Sequence, residues 1–311
     1  MTESARVGYL YNWDRLRLIA AIDPMAIHVL GTHVFLGIGL PMFLVLSVAL
    51  SVAKPKPPPT ERFILRRWQR IVIPWIFWSL VIGGIRAYYV YKAGEPAMGW
   101  FKTSMLFYGP RDHLWFLPFI ACFGVLAHFI HKATWRWHPG VLCIASVIVA
   151  VFAAWIPTQF NLEWPYRQWV FSLPTLPLGL AVGRMLSFQK NMTNLRLWAL
   201  LLFAIYAVLG WSMYHFIEPV MKVYLIRFGG GLLVLTIATW LPNFLDKWTA
   251  KIVPNMLGLY VLHPLVFALF LTPYLKEHGL IDVPSIRLWS TFFGTFAFVA
   301  LLRLTPLKRV L

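Results

Sequence analysis

The sequence predicts an all-α fold, a polytopic transmembrane helical bundle of about ten spans. Three observations carry that expectation. Of the 311 residues, 59% are hydrophobic and only 13% are charged, with a mean hydropathy of +0.68. That is more apolar surface than a soluble core of this size can hide. Apolar runs of about 17 to 25 residues recur along the whole chain, the length needed to cross a bilayer. The basic residues gather in short runs between them, as topology signals do. The formal charge of +17 therefore does not point to nucleic acid.

The apolar runs fall at about 16–31, 34–53, 71–91, 114–130, 140–157, 169–187, 197–213, 223–242, 253–273 and 287–304. The first contains Arg17, Asp23 and His28 and has no small-residue cleavage site after it, so it reads as a retained span rather than a signal peptide. Between the second and third lies KPKPPPTER at 54–62, a stiff connector that cannot be helical. It leads into FILRRWQR, an amphipathic segment whose Phe63, Ile64 and Trp68 suit the interface. An even number of spans puts both termini on one side. Of the 28 Lys and Arg residues, eighteen then lie on the side of the termini, seven on the other and three within spans. The positive-inside rule makes the first side cytoplasmic, as in a bacterial inner-membrane protein. The chain reads as one membrane-embedded domain, 1–311, with no fixed-period repeat and no extracytoplasmic extra domain.

Ionisable groups inside a span mark function unless they pair or pack, because hydrocarbon does not solvate them. Arg17 and His28 are eleven residues apart, which returns them to nearly one helix face about 16 Å apart and points both into the same space. Asp14 is three residues from Arg17 and can pair with it. A neutral imidazole is suited to take a proton from a hydroxyl; the alternative for His28 is a packing histidine. Arg66, Arg67 and Arg70 form a cluster whose guanidinium forks suit phosphate oxygens, or else simply meet anionic lipid headgroups. In HLWFLP at 113–118, His113 could offer a polar contact and the pair Trp115 and Phe116 a stacking wall to a hydroxyl-rich ligand, or the tryptophan could serve as an interfacial anchor. His263 precedes Pro264, which weakens its helix, and either completes a polar pocket or bonds a neighbouring helix. Arg227 before Gly229, Gly230 and Gly231 resembles a phosphate loop only superficially, and those glycines suit close helix packing. Cys122 and Cys143 form no CxxC pair and lie near no histidine cluster, so no metal site is expected.

Together these marks resemble the integral-membrane acyltransferase-3 family, which moves acyl groups, commonly acetyl, onto surface or envelope carbohydrates. The resemblance rests on DRLRLIAAIDPMAIH at 14–28, LPMFLVLS at 40–47, FILRRWQRIVIPWIFW at 63–78, HLWFLP at 113–118 and LYVLHP at 259–264. The sequence departs from the family at Asp23 and Pro24, where apolar residues are usual, and at Val48, where glycine commonly follows the serine. The resemblance implies acyl-CoA, acetyl-CoA in the commonest case, as a cytoplasmic cosubstrate held near Arg66, Arg67 and Arg70, with no permanently bound cofactor. It implies His28 as the catalytic base, Arg17 orienting the thioester or offsetting its developing charge, and His113, Trp115 and His263 on the side of a carbohydrate or glycolipid acceptor. Ser47 and Cys122 are available nucleophile types without a base beside them in sequence. A proton-coupled transporter or flippase, and a catalytically inactive membrane interaction protein, are the alternatives from other classes.

Overall fold

The computed structural model describes residues 3–33, 36–160, 162–163, 166–188, 192–216, 219–241 and 252–311. All regular structure among them is helical, and the helices follow the apolar segments in order. They are α1 (Glu3–Leu30), α2 (Gly39–Val52), α3 (Thr60–Lys92), α4 (Asp112–Thr134), α5 (Pro139–Ala153), α6 (Tyr166–Phe188), α7 (Met192–Tyr214), α8 (Pro219–Ala238), α9 (Val253–Glu277) and α10 (Pro284–Leu302). Among the described residues six of these, α3, α4, α6, α7, α9 and α10, are long and apolar enough to cross a membrane. The expected ten spans are thus supported only in part. The reason is plainest for α2 and α5, whose 14 and 15 residues reach roughly 21 to 23 Å at 1.5 Å each. That falls short of a hydrocarbon core of about 30 Å. The protein is nonetheless a multi-pass helical membrane protein.

Helix α2 is apolar on every side, and a helix of that kind belongs in an interior. Accordingly it packs against α1, α4, α6 and α8, with most of its side chains buried. Close approach to α6 depends on two glycines. A Cβ on Gly179 would lie 2.5 Å from the Val48 Cβ, and one on Gly183 would collide with Val52 and lie 2.6 Å from the Ala49 carbonyl oxygen. The room that Val48 needs is therefore supplied by the facing helix. The glycines of α8 also serve packing, with Gly230 against Ile38 and Gly231 against Met42.

The Asp23–Pro24 pair in α1 acquires a structural reason at the start of α2. Pro24 has no N–H to give the Ala20 carbonyl, and Gly39 packs into this stretch, where a Cβ would meet the Ala20 oxygen at 2.8 Å. The Gly39 N–H donates to the Asp23 carboxylate at 3.1 Å. A buried carboxylate thus sits at the N-terminus of α2, where the helix dipole favours negative charge.

Helix α3 is continuous from Thr60 through a π turn at Trp68–Val72, so the amphipathic segment and the third apolar run form one element. The end of the connector, Thr60, Glu61 and Arg62, is helical contrary to expectation because it lies beyond the last proline, Pro59. Its start is fastened to α4. The Lys132 ammonium donates to the Thr60 hydroxyl at 3.0 Å, and the His128 ring stacks on Phe63 at 4.3 Å.

Gly183→Val should lower stability by about 1 to 3 kcal/mol through overpacking at the α2–α6 contact, read by thermal unfolding in detergent. Gly84→Ala, where a Cβ meets nothing within 4 Å, should leave the melting temperature unchanged or raise it slightly.

Candidate functional site: two cavities and an aromatic partition

One cavity, of about 400 Å³, gathers the cations of three segments: Arg17 of α1, Lys54 of the connector, and Arg66, Arg67 and Arg70 of α3. The π turn beginning at Trp68 alters the helical register between Arg67 and Arg70, a device common at functional sites. All three arginines line this one space. Arg67 is held by more than its own helix. Its guanidinium lies over the Phe63 ring and against Gly124 of α4, where a Cβ would come within 2.5 Å of the guanidinium carbon. Ser47 also lines this cavity, but its hydroxyl donates to the Phe43 carbonyl at 2.8 Å within its own helix.

A second cavity of about 400 Å³ is lined by His28, His33, Asp112, His113, Trp115, Gln168, Ser172, Tyr224, Arg227 and Tyr260, among others. Polar side chains from α1, α4, α6 and α8 converge here among aromatic walls, the usual makeup of a small-molecule site. A neighbouring space bounded by Arg111, Asp112, Pro264 and Thr272 also opens onto His28.

Three histidines form a triangle beside this second cavity. The His28 ring lies 5.7 Å from His113 and 5.5 Å from His263, and His113 lies 5.7 Å from His263. Their environments differ. Pro264 lacks the N–H that would satisfy the Tyr260 carbonyl, and His263 Nδ1–H donates to that oxygen at 2.7 Å instead. His113 Nε2–H donates to the Val261 carbonyl at 3.1 Å. Both rings are buried and pinned to the backbone of α9. His28, by contrast, is exposed to the cavity, with no hydrogen-bond partner among the described residues.

Between the cavities stand three rings. Phe43 and Phe116 line the cationic cavity, Tyr260 lines the other, and the ring centroids are 5.7 Å (Phe43–Phe116), 6.4 Å (Phe43–Tyr260) and 4.0 Å (Phe116–Tyr260) apart. Arg17 and His28 therefore open into different cavities on either side of this partition, not into one space as their shared helix face suggests. Arg17 keeps the company of Arg66, Arg67 and Arg70. Of the residues expected on the acceptor side, His113 and Trp115 line the second cavity, while His263 lies fully buried behind it. The Asp14 side chain lies outside the described residues. Sequence reasoning did not bring forward His33, Asp112, Gln168, Ser172 or Tyr224, and it set Arg227 aside; the last carried a usable signal, being an arginine within an apolar span.

A family model described as an acyltransferase domain, that of the acyltransferase-3 family, matches residues 10–303. No curated protein and no solved structure matches the chain.

In a background lacking Cys122 and Cys143, Ser51→Cys in the cationic cavity and Gln168→Cys in the histidine cavity should each react with an impermeant thiol reagent from one membrane face only. The two faces should be opposite. Labelling of both from the same face of sealed vesicles would contradict the separation.

Proposed function

The chain belongs to the acyltransferase-3 family, and from that premise we propose that it moves an acyl group, acetyl in the simplest case, from acyl-CoA to a hydroxyl of an envelope or surface carbohydrate. The donor enters the cationic cavity, which faces the cytoplasm of a bacterial inner membrane with both termini on the same side. CoA brings several phosphates, and Arg66, Arg67, Arg70 and Lys54 offer forks and a point charge to meet them. Arg17 holds the thioester-bearing end beside the partition.

The observation that carries this reading is the contrast among the three histidines. His113 and His263 spend one ring nitrogen each on a backbone carbonyl, and of the three only His28 has both ring nitrogens without a hydrogen-bond partner among the described residues. In the proposed reaction His28 takes the proton of the acceptor hydroxyl as its oxygen attacks the thioester carbonyl carbon. A C–O bond forms, the C–S bond breaks, and CoA leaves as the thiolate, which is reprotonated from solvent or from the imidazolium. For this the thioester must pass Phe43, Phe116 and Tyr260, so these rings part or frame a slot for the acyl chain. Transfer proceeds directly between the substrates, since the Ser47 hydroxyl donates to the Phe43 carbonyl of its own helix and Cys122 lines neither cavity.

His28→Ala should retain acyl-CoA binding and fold while losing about 100-fold to 10,000-fold in single-turnover acyl transfer, normalised to folded protein. A rate within threefold of wild type would rule His28 out as the base. His263→Ala should show the opposite pattern, a lower melting temperature with the smaller loss of turnover, because it leaves the Tyr260 carbonyl without its partner.

Arg67→Ala and Arg70→Ala should each weaken acyl-CoA binding, and raised salt should weaken wild-type binding in the same direction. Arg70→Lys should restore only part of the affinity, since an ammonium cannot reproduce the bidentate fork. Unchanged affinity in the folded double alanine variant, measured by isothermal titration, would assign these arginines to topology alone.

A further inference from the structure

The histidine cavity holds a cation that the acyl-transfer chemistry does not use. Arg227 lies in the middle of α8, within an otherwise apolar stretch (VYLIRFGGGLLVL), yet its side chain borders the cavity rather than lipid. The fold makes room for it. Gly37, in the loop between α1 and α2, adopts φ +76°, and a Cβ there would collide with the Arg227 guanidinium. On its own helix the guanidinium carbon lies over the Tyr224 ring at 5.5 Å.

Among the described residues no carboxylate pairs with Arg227, and its buried Nε has no hydrogen-bond partner. Asp23 and Asp112 line the same cavity, and Asp23 accepts from the Gly39 N–H and lies 3.5 Å from His33 Nδ1. Burial and the nearby Arg227 charge hold the His33 imidazole below its ordinary range, against the pull of Asp23. A guanidinium at membrane depth is costly to leave unpaired, and such residues mark substrate sites. Gln168 and Ser172 border the same cavity with further polar groups.

We propose that Arg227 binds an anionic group on the acceptor, a carboxylate or a phosphate attached to the sugar, while the hydroxyl to be acylated rests at His28. The substrate class is then an acidic carbohydrate rather than a neutral one. This rests on the reading of the histidine cavity as the acceptor site. Asp112 and Arg111 lie at the His28 side of the cavity system and Arg227 on α8, so an acidic sugar has its charge and its reacting hydroxyl received by different helices.

The test compares methyl glucoside, methyl glucuronide and glucose 1-phosphate as acceptors with purified full-length protein and acetyl-CoA, measuring both acetyl transfer and thermal protection. Wild type should favour at least one charged sugar over the neutral one in kcat/KM by about tenfold to a hundredfold. The glucuronide arm identifies a carboxylate and the sugar-phosphate arm a phosphate. Arg227→Gln should abolish that preference, chiefly through KM, and Arg227→Lys should restore part of it. Protection of Arg227→Gln by acetyl-CoA reports its fold independently; if that variant does not fold, the wild-type preference and the lysine variant decide. Transfer to all three sugars without charge preference, or a preference that survives in Arg227→Gln, would overturn the anion subsite and leave the acyltransfer reading standing. Protection by a charged sugar without transfer would do the reverse. Neither transfer nor protection with any of the three would overturn both.

Discussion

Everything in this protein is arranged around the difficulty of keeping a helix that bears Arg17, Asp23 and His28 inside a membrane bundle. Each group meets a different solution. Arg17 opens into a cavity shared with four other cations. Asp23 is buried at the N-terminus of α2, where a backbone N–H and the helix dipole receive its charge. His28 faces a second, polar cavity. The glycine that begins α2 follows from the placement of Asp23, whose carboxylate it approaches closely.

The cavities lie on opposite sides of Phe43, Phe116 and Tyr260, and this partition gives the molecule its chemical asymmetry. On one side the lining offers fixed positive charge suited to a polyanion. On the other it offers an uncommitted imidazole, aromatic walls and hydrogen-bonding groups suited to a hydroxylated ligand. The five segments that carry the resemblance to the acyltransferase-3 family contribute residues to both sides, Arg17 and Phe43 to one and His28, His113 and Tyr260 to the other. The departures at Asp23 and Val48 are absorbed by packing, Asp23 against Gly39 and Val48 against Gly179, without removing His28 from its cavity.

Much of this was legible in the sequence because membrane segments announce themselves by length and apolarity. The helices, the cationic segment at Arg66, Arg67 and Arg70, and the histidine–proline mark at His263 could all be placed from residue patterns alone. Helical periodicity gives the direction of a side chain around its own axis but not what stands opposite it. For that reason Arg17 and His28, although on one face, could be read into one space, when a partition supplied by α2, α4 and α9 divides them. The pinning of His113 was equally invisible, since Val261 lies 148 residues away. The importance of Arg227 was obscured by the glycines that follow it, which invite comparison with a phosphate loop, while the shape of the loop around Gly37 depends on tertiary contact.

The central claim is that the acyl group passes between the two cavities and so changes sides of the membrane. The most direct measurement uses sealed proteoliposomes with a carbohydrate acceptor enclosed, an equal concentration of distinguishable acceptor outside, and labelled acetyl-CoA added outside only. Only molecules whose cationic cavity faces outward can take the donor, and the label should then appear on the enclosed acceptor alone. Label on the outside acceptor, with the enclosed one unmodified, would contradict transfer across the partition.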